Sequence, residues 1–132
     1  MYSIRMYRIL SVLLVFFFAF SVSAQVETEK DDFVSGFEDL PLMSGLIQLE
    51  DGAVSFDSPS GRIVEAYAES PTLTADKISK FYADTLPQLG WKKNKNEKQK
   101  NGLAFTRDGE SLEISFEKSS HIVVRFELTT QQ

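Results

Sequence analysis

The sequence predicts an α+β fold in which one main helix packs on one face of an antiparallel sheet. Three observations lead there. Leu73–Trp91 is the only long segment with a helical period. Strand-like alternation lies on both sides of it, in Leu46–Glu69 and in Leu103–Leu128. Two-residue turn signals, Asp51-Gly52 and Asp108-Gly109, punctuate that alternation. The implied order is a β-hairpin, a strand, the helix, and then a meander of three to four strands.

The helix comes first because the rest is arranged around it. Ile78, Phe81, Tyr82, Leu86 and Leu89 fall on one stripe of a helical surface, while Lys77, Ser79, Lys80 and Asp84 point elsewhere. Thr74 is the expected N-cap, since its hydroxyl can accept from an otherwise unpaired backbone N–H. Asp76 then sits in the first turn, where the helix end is positive. Leu73 and Ile78 can close a hydrophobic staple around the cap. Pro87 lacks an N–H and disfavours helix at Leu86, so the regular helix should weaken there. Gly90 can take a left-handed conformation and turn the chain, which makes Trp91 the first buried residue of the next strand. Phe81, Tyr82 and Trp91 are read as core aromatics rather than a ligand cage.

At the start of the 132-residue chain, residues 1–24 have the form of a secretory signal. Arg5 and Arg8 make a basic start, Ile9–Phe20 is an apolar run with one Ser, and Val22-Ser23-Ala24 is a small-residue cleavage site. The run is shorter than the roughly 20 apolar residues a spanning helix needs. Cleavage would leave Gln25 as the N-terminus of 108 residues, and the formal charge would move from −5 to −7. Export is expected, with the periplasm ahead of the extracellular space, and membrane contact only through the signal segment before cleavage. The acidic balance argues against nucleic acid, which needs a basic surface, and against docking on anionic lipid. No cysteine occurs, so disulfides, thiolate metal sites, thiol catalysis and lipid attachment at a cysteine are all excluded.

Residues 25–32, QVETEKDD, read as a flexible acidic leader, and residues 33–132 as a single α+β domain. Within that domain Phe33–Leu46 is apolar but interrupted by Gly36, Pro41 and Gly45. An irregular segment is expected, with one short helical turn at Phe33–Phe37. Phe37, Leu40, Leu42 and Met43 either dock on the body to cover the core or form an exposed patch for a partner. On the second reading the partner-binding residues are Phe37, Leu40, Pro41 and Met43.

A hairpin at Asp51-Gly52 would set Leu49 opposite Val54 and Ile47 opposite Phe56, all on one face. Ser58–Gly61 is a second turn. Beyond it Val64, Ala66 and Ala68 make a small-residue face suited to a close helix, with Ile63, Glu65 and Tyr67 pointing the other way. Lys92–Lys100 holds five lysines, which suit an exposed edge strand and a loose loop ending at Gly102. In the last third, pairing Arg107 with Glu110 places Phe105 opposite Leu112 and Leu103 opposite Ile114. An odd-numbered loop then pairs Phe116 with Ile122, so Ile122, Val124, Phe126 and Leu128 face inward.

Few residues carry recognisable chemistry. His121 is the only histidine and is placed beside a Ser-rich turn opposite Glu117. With one His and no Cys, neither a metal nor another cofactor is expected. The acidic residues lack the spacing of a calcium loop, and there is no Gly-rich phosphate loop or G-x-S-x-G elbow. Glu65 and Glu69 share a strand face with Tyr67 between them, a candidate acid/base pair set against the commoner case of solvated strand charges. Arg62 and Asp57 should form a weak ion pair across the Ser58–Gly61 turn.

The residues Phe81-Tyr82, Leu86-Pro87 and Gly90-Trp91 together form an FY…LP..GW helix end that leads into an antiparallel meander. That motif, with FDSPSGRIVEA and DLPLMSGL before it, resembles uncharacterised small exported, periplasmic bacterial proteins over roughly Phe37–Leu128. The resemblance implies location and fold more than activity. The chain is also distantly similar to helix-on-sheet domains of envelope-assembly lipoproteins, from which it departs by lacking a lipidation cysteine. The functional expectation is a non-catalytic accessory or protein-binding domain of the cell envelope, acting on an unknown envelope protein. The alternative is a small-ligand-binding or hydrolytic protein with a pocket between helix and sheet, lined by Glu65, Tyr67 and Tyr82. A purely structural domain is the third reading. Thr74, Phe81, Pro87, Gly90 and Trp91 are assigned to structure.

Overall fold

The computed structural model describes residues 32–95 and 101–131, which belong to one compact unit, Asp31–Gln132. The expected signal segment, residues 1–24, residues 25–31 of the expected leader, residues 96–100 of the lysine-rich stretch and residue 132 lie outside the described residues. The strands are β1 (Ile47–Gln48), β2 (Val54–Ser58), β3 (Gly61–Ser70), β4 (Lys92–Lys93), β5 (Gly102–Arg107), β6 (Glu110–Lys118) and β7 (Ile122–Gln131). One helix, α1 (Ala75–Thr85), follows β3 and tightens into a 3-10 turn at Leu86–Leu89. The strands form one antiparallel sheet in the order β1–β3–β7–β6–β5–β4, and β2 also pairs with β3. This is the α+β fold expected from the sequence.

Local chemistry explains the helix. The Thr74 hydroxyl accepts from the Lys77 N–H at 3.3 Å. Just before it, buried Ser70 accepts from Thr72 and Leu73 N–H groups through its Oγ, which steers the chain out of β3. At the far end Pro87 falls in the 3-10 turn, and Gly90 takes φ 88 while its N–H bonds Leu86 and Pro87 carbonyls. Ile78, Tyr82 and Leu86 are fully buried and Phe81 packs beside them. Leu89 departs from the expected stripe and is exposed, because the tighter 3-10 turn rotates it off the buried face.

The core lies between α1 and the sheet. β3 contributes Val64, Ala66 and Ala68, and β7 contributes Ile122, Val124 and Phe126. Phe126 meets both Tyr82 and Phe37 edge-on, with ring centroids 5.5 and 6.4 Å apart. Phe33–Leu46 is a strap over the side of this core. Val34, Leu40 and Leu46 are buried, and Phe37, Leu42 and Met43 pack against them. No helical turn forms at Phe33–Phe37. A β-turn closes there instead, with Phe37 N–H donating to the Val34 carbonyl and Gly36 at φ 84, a left-handed conformation outside the helical region. The strap is tied down by Gln48, whose amide accepts from Ser35 N–H at 2.6 Å and donates to the Phe33 carbonyl at 3.1 Å.

Two registers differ from the sequence expectation. Asp51-Gly52 does not make a hairpin, because β1 and β2 run end to end along the same edge of β3. Leu49 N–H donates to the Tyr67 carbonyl, while Val54 sits opposite Glu65, so Glu50–Ala53 bulges out across from Ala66. The bulge is a 3-10 turn at Glu50–Gly52. Gly52 is needed for contact rather than for a positive φ, since a Cβ there would stand 3.0 Å from the Tyr67 Cβ. Neither Asp51 nor Gly52 has the positive φ that a two-residue hairpin turn requires.

The second difference is at β6–β7, where the connection is Ser119–His121 and Phe116 faces Val124 rather than Ile122. Parity survives, so the same residues face inward, but His121 is an exposed loop residue and Val123 takes the place opposite Glu117. The β5–β6 register is as expected, with Phe105 opposite Leu112, Leu103 opposite Ile114, and Asp108-Gly109 in the turn at φ 46 and 80.

Candidate functional site

The residues first considered for partner binding lie in or against the body. Leu40 is buried, and Phe37 and Met43 pack on the core. Pro41 is half-buried and its carbonyl accepts from the Tyr82 hydroxyl at 2.9 Å. Tyr82 is itself fully enclosed, and burial pushes its phenol well above the usual tyrosine value.

Glu65, Tyr67 and Tyr82 line no common pocket. Side chains alternate along β3, so Val64, Ala66 and Ala68 face the core while Glu65 and Tyr67 face the opposite side of the sheet. On that open side Arg125 joins Glu65, at 2.5 Å, to Glu127, and the Tyr67 hydroxyl donates to Glu65 at 3.4 Å. The cross-strand register explains the cluster: Tyr67 is opposite Arg125 and Glu65 opposite Glu127. The hydrogen bond from Arg125, and then its charge, hold the Glu65 carboxyl below its usual range. A carboxylate held ionised in this way is poorly suited to act as a general acid near neutral pH.

On the core-facing side of the sheet Arg107 binds both oxygens of Asp39, at 2.6 and 3.2 Å, and donates to the Leu89 carbonyl at 3.0 Å. Its guanidinium carbon lies 4.2 Å from the centroid of the Trp91 ring. Beneath this cluster, between strap and sheet, is a cavity of about 120 Å³ bordered by Trp91, Arg107, Glu110 and Leu112. The buried Trp91 indole N–H has no hydrogen-bond partner among the described residues. Thr74 caps the helix, Phe81 packs against the core, Pro87 lies in the 3-10 turn and Gly90 takes the left-handed conformation that ends it.

The feature that sequence reasoning missed is an apolar strip on the open side of the β1/β2 edge. Ile47, Val54, Phe56 and Ile63 are 58%, 57%, 63% and 41% exposed. Register puts them on one face: Phe56 lies opposite Ile63, Val54 opposite Glu65, and Ile47 opposite Glu69. The same-face grouping of Ile47, Val54 and Phe56 was visible in the sequence alternation. That this face is turned to solvent was not, because it depends on which side of β3 the helix takes. Every residue from Val54 to Asp57 is exposed, and among the described residues β2 pairs only with β3.

Among the described residues no group of three or more His, Cys, Asp and Glu side chains is placed to hold a metal ion, and no helix is long and apolar enough to cross a membrane. Compared with protein-family models, curated proteins and solved structures, the chain has no significant match, so the reading of function rests on its own geometry.

Proposed function

We propose that the chain is an exported, non-catalytic protein-binding domain of the cell envelope, and that its contact surface is the apolar strip of Ile47, Val54, Phe56 and Ile63. One observation carries the reading: large apolar side chains are concentrated on an exposed sheet edge, in a domain whose other aromatics are mostly packed inward. The acidic charge and the form of the first 24 residues support export and a protein target over nucleic acid.

The reading is tested by placing a photoreactive amino acid at position 56 and, as a control, at exposed position 80 on α1, in cells that make the protein. A discrete crosslinked species is expected from position 56 alone, and it should disappear when Val54→Lys is added. Equal crosslinking from both positions, or none from position 56, overturns the surface assignment.

A further inference from the structure

We infer that Asn101 is a self-modification site: the backbone nitrogen of Gly102 attacks the Asn101 side chain and converts it, with no enzyme, to isoaspartate and aspartate. The site lies at the start of β5, away from the apolar strip, and does not depend on what that strip binds.

Composition singles the residue out. The chain has three asparagines, Asn94, Asn96 and Asn101, and only Asn101 is followed by glycine. Glycine has no Cβ to crowd the nitrogen that must approach the Asn101 Cγ. Lys95 and Glu97 follow the other two, and each carries that obstruction.

Strand pairing leaves the attacking nitrogen outside the β6 ladder. Asn101 is exposed, and its carbonyl accepts from Phe116 N–H at 3.1 Å. The β5–β6 register, carried one step back, sets these two residues opposite each other, so they are a hydrogen-bonded pair. Bonded and non-bonded pairs alternate along an antiparallel ladder. Gly102 and Ser115 are therefore a non-bonded pair, and the Gly102 N–H points away from β6. On the β4 side, Asn94 N–H donates to the Ala104 carbonyl at 2.8 Å, two residues short of Gly102. Alongside runs a surface groove of about 400 Å³ bordered by Lys93, Lys95 and Gly102. It admits water and hydroxide beside Gly102, and the exposed ammonium groups favour the deprotonated nitrogen.

Once its proton has passed to hydroxide, the Gly102 nitrogen forms a bond to the Asn101 Cγ. The bond from Cγ to the side-chain nitrogen breaks and ammonia leaves, giving a cyclic imide. Water then opens the imide at either carbonyl. Opening at Cγ gives aspartate. Opening at the main-chain carbonyl carbon gives isoaspartate, with the chain routed through Cβ and Cγ. Overall one water is consumed and one ammonia released. Both products place a new carboxylate beside the lysine-bearing β4 edge. Isoaspartate also adds a methylene to the main chain and moves the carbonyl that Phe116 N–H now bonds, which loosens the first rung of the β5–β6 ladder.

The test follows the full chain, as isolated from its producing cells, during prolonged incubation at neutral and at mildly alkaline pH. Brief digestion after Lys100 and Arg107 releases residues 101–107, whose mass and elution are compared with synthetic Asn, Asp and isoAsp standards. Amide loss at Asn101 should run at least tenfold faster than at Asn94 or Asn96, rise with pH, and give more isoaspartate than aspartate. Gly102→Ala should slow it at least tenfold. Asn101→Gln, an exposed substitution whose cyclisation needs a larger ring, should keep its amide.

Equal rates at the three asparagines overturn the inference. So does an unchanged rate in Gly102→Ala, which would mean that water rather than the Gly102 nitrogen attacks. If the folded protein keeps Asn101 intact while a urea-unfolded sample loses it, the fold shields the residue and the inference fails.

Discussion

The Tyr82 hydroxyl donates a 2.9 Å hydrogen bond to the Pro41 carbonyl, joining the middle of the helix to a residue 41 positions earlier in the chain. The Tyr82 hydroxyl oxygen in turn accepts from Met43 N–H at 3.4 Å. A fully buried ring therefore holds the strap through its polar tip. Tyr82→Phe keeps the ring and strands the Pro41 carbonyl. The expected loss is about 1–3 kcal/mol, read by urea unfolding with the single Trp91 as reporter.

Tyr82 also predicts an alkaline limit. Its phenol titrates above the ordinary value of 10.0 because burial disfavours the charged form. The folded state thus binds the proton more tightly than the unfolded state does. That stability is complete below pH 10.0 and is lost as pH rises from there towards the folded value. Unfolding free energy should decline above that pH in the natural protein and decline less steeply in Tyr82→Phe. Parallel curves would show that the decline has another source.

Arg107 couples the strap to the sheet and stacks on Trp91. The guanidinium is about one-fifth exposed and the Asp39 carboxylate about half, so solvent screens the pair. A double-mutant cycle with Arg107→Leu and Asp39→Leu should yield a coupling of about 0.5–1 kcal/mol. Arg107→Lys should not restore it, since an ammonium cannot bind both oxygens and lie flat on the indole. Trp91 emission should change in both Arg107 variants.

Gly61 and Gly109 separate contact from conformation. At Gly61 φ is +146, and a Cβ would stand 2.1 Å from the Thr130 carbonyl oxygen. Gly61→Ala must therefore part the end of the β3–β7 pairing, at a cost of roughly 2–3 kcal/mol or more. Gly109 has φ +80 and nothing within 4 Å of the added atom, so Gly109→Ala should cost about 1 kcal/mol from backbone strain alone. Equal losses in thermal unfolding would contradict the steric account.

At acid pH the test is Glu65. Its folded pKa lies below the ordinary 4.5, held there first by the hydrogen bond from Arg125. The stabilisation is present above 4.5 and disappears as pH falls below it towards the folded value. For a partly exposed pair the amount is about 0.5–1 kcal/mol. Glu65→Gln should flatten the acid side of the stability profile by that amount, measured by urea unfolding between neutral pH and pH 3. An unchanged profile would show the pair to be energetically silent.

Much of the local structure was legible because local rules decide it. The Thr74 cap, the Gly90 turn and the Arg107–Glu110 hairpin depend on residues within a few positions of one another. The Asp51-Gly52 hairpin failed for a physical reason. A local turn preference worth little in free energy competed with pairing along the ten-residue β3, and the long-range ladder won. Phe56 and Tyr82 mark the same limit in the site. The helical period marked Tyr82 as core and alternation placed Phe56 on a face, but only packing decided that the face of Phe56 is in water.

By itself the sequence determined the fold class, the helix with its ends, and which side chains share a face. It also determined the absence of any cysteine chemistry. Those follow from backbone sterics, periodicity and composition. Tertiary structure alone decided that β3 pairs with β7 on one side and with β1 and β2 on the other, that the strap turns Leu40 inward, and that Arg107 reaches Asp39. It also decided that Ile47, Val54, Phe56 and Ile63 are left on an open edge. Each depends on contacts between residues far apart in sequence, where the free energy of one arrangement is set by everything it displaces.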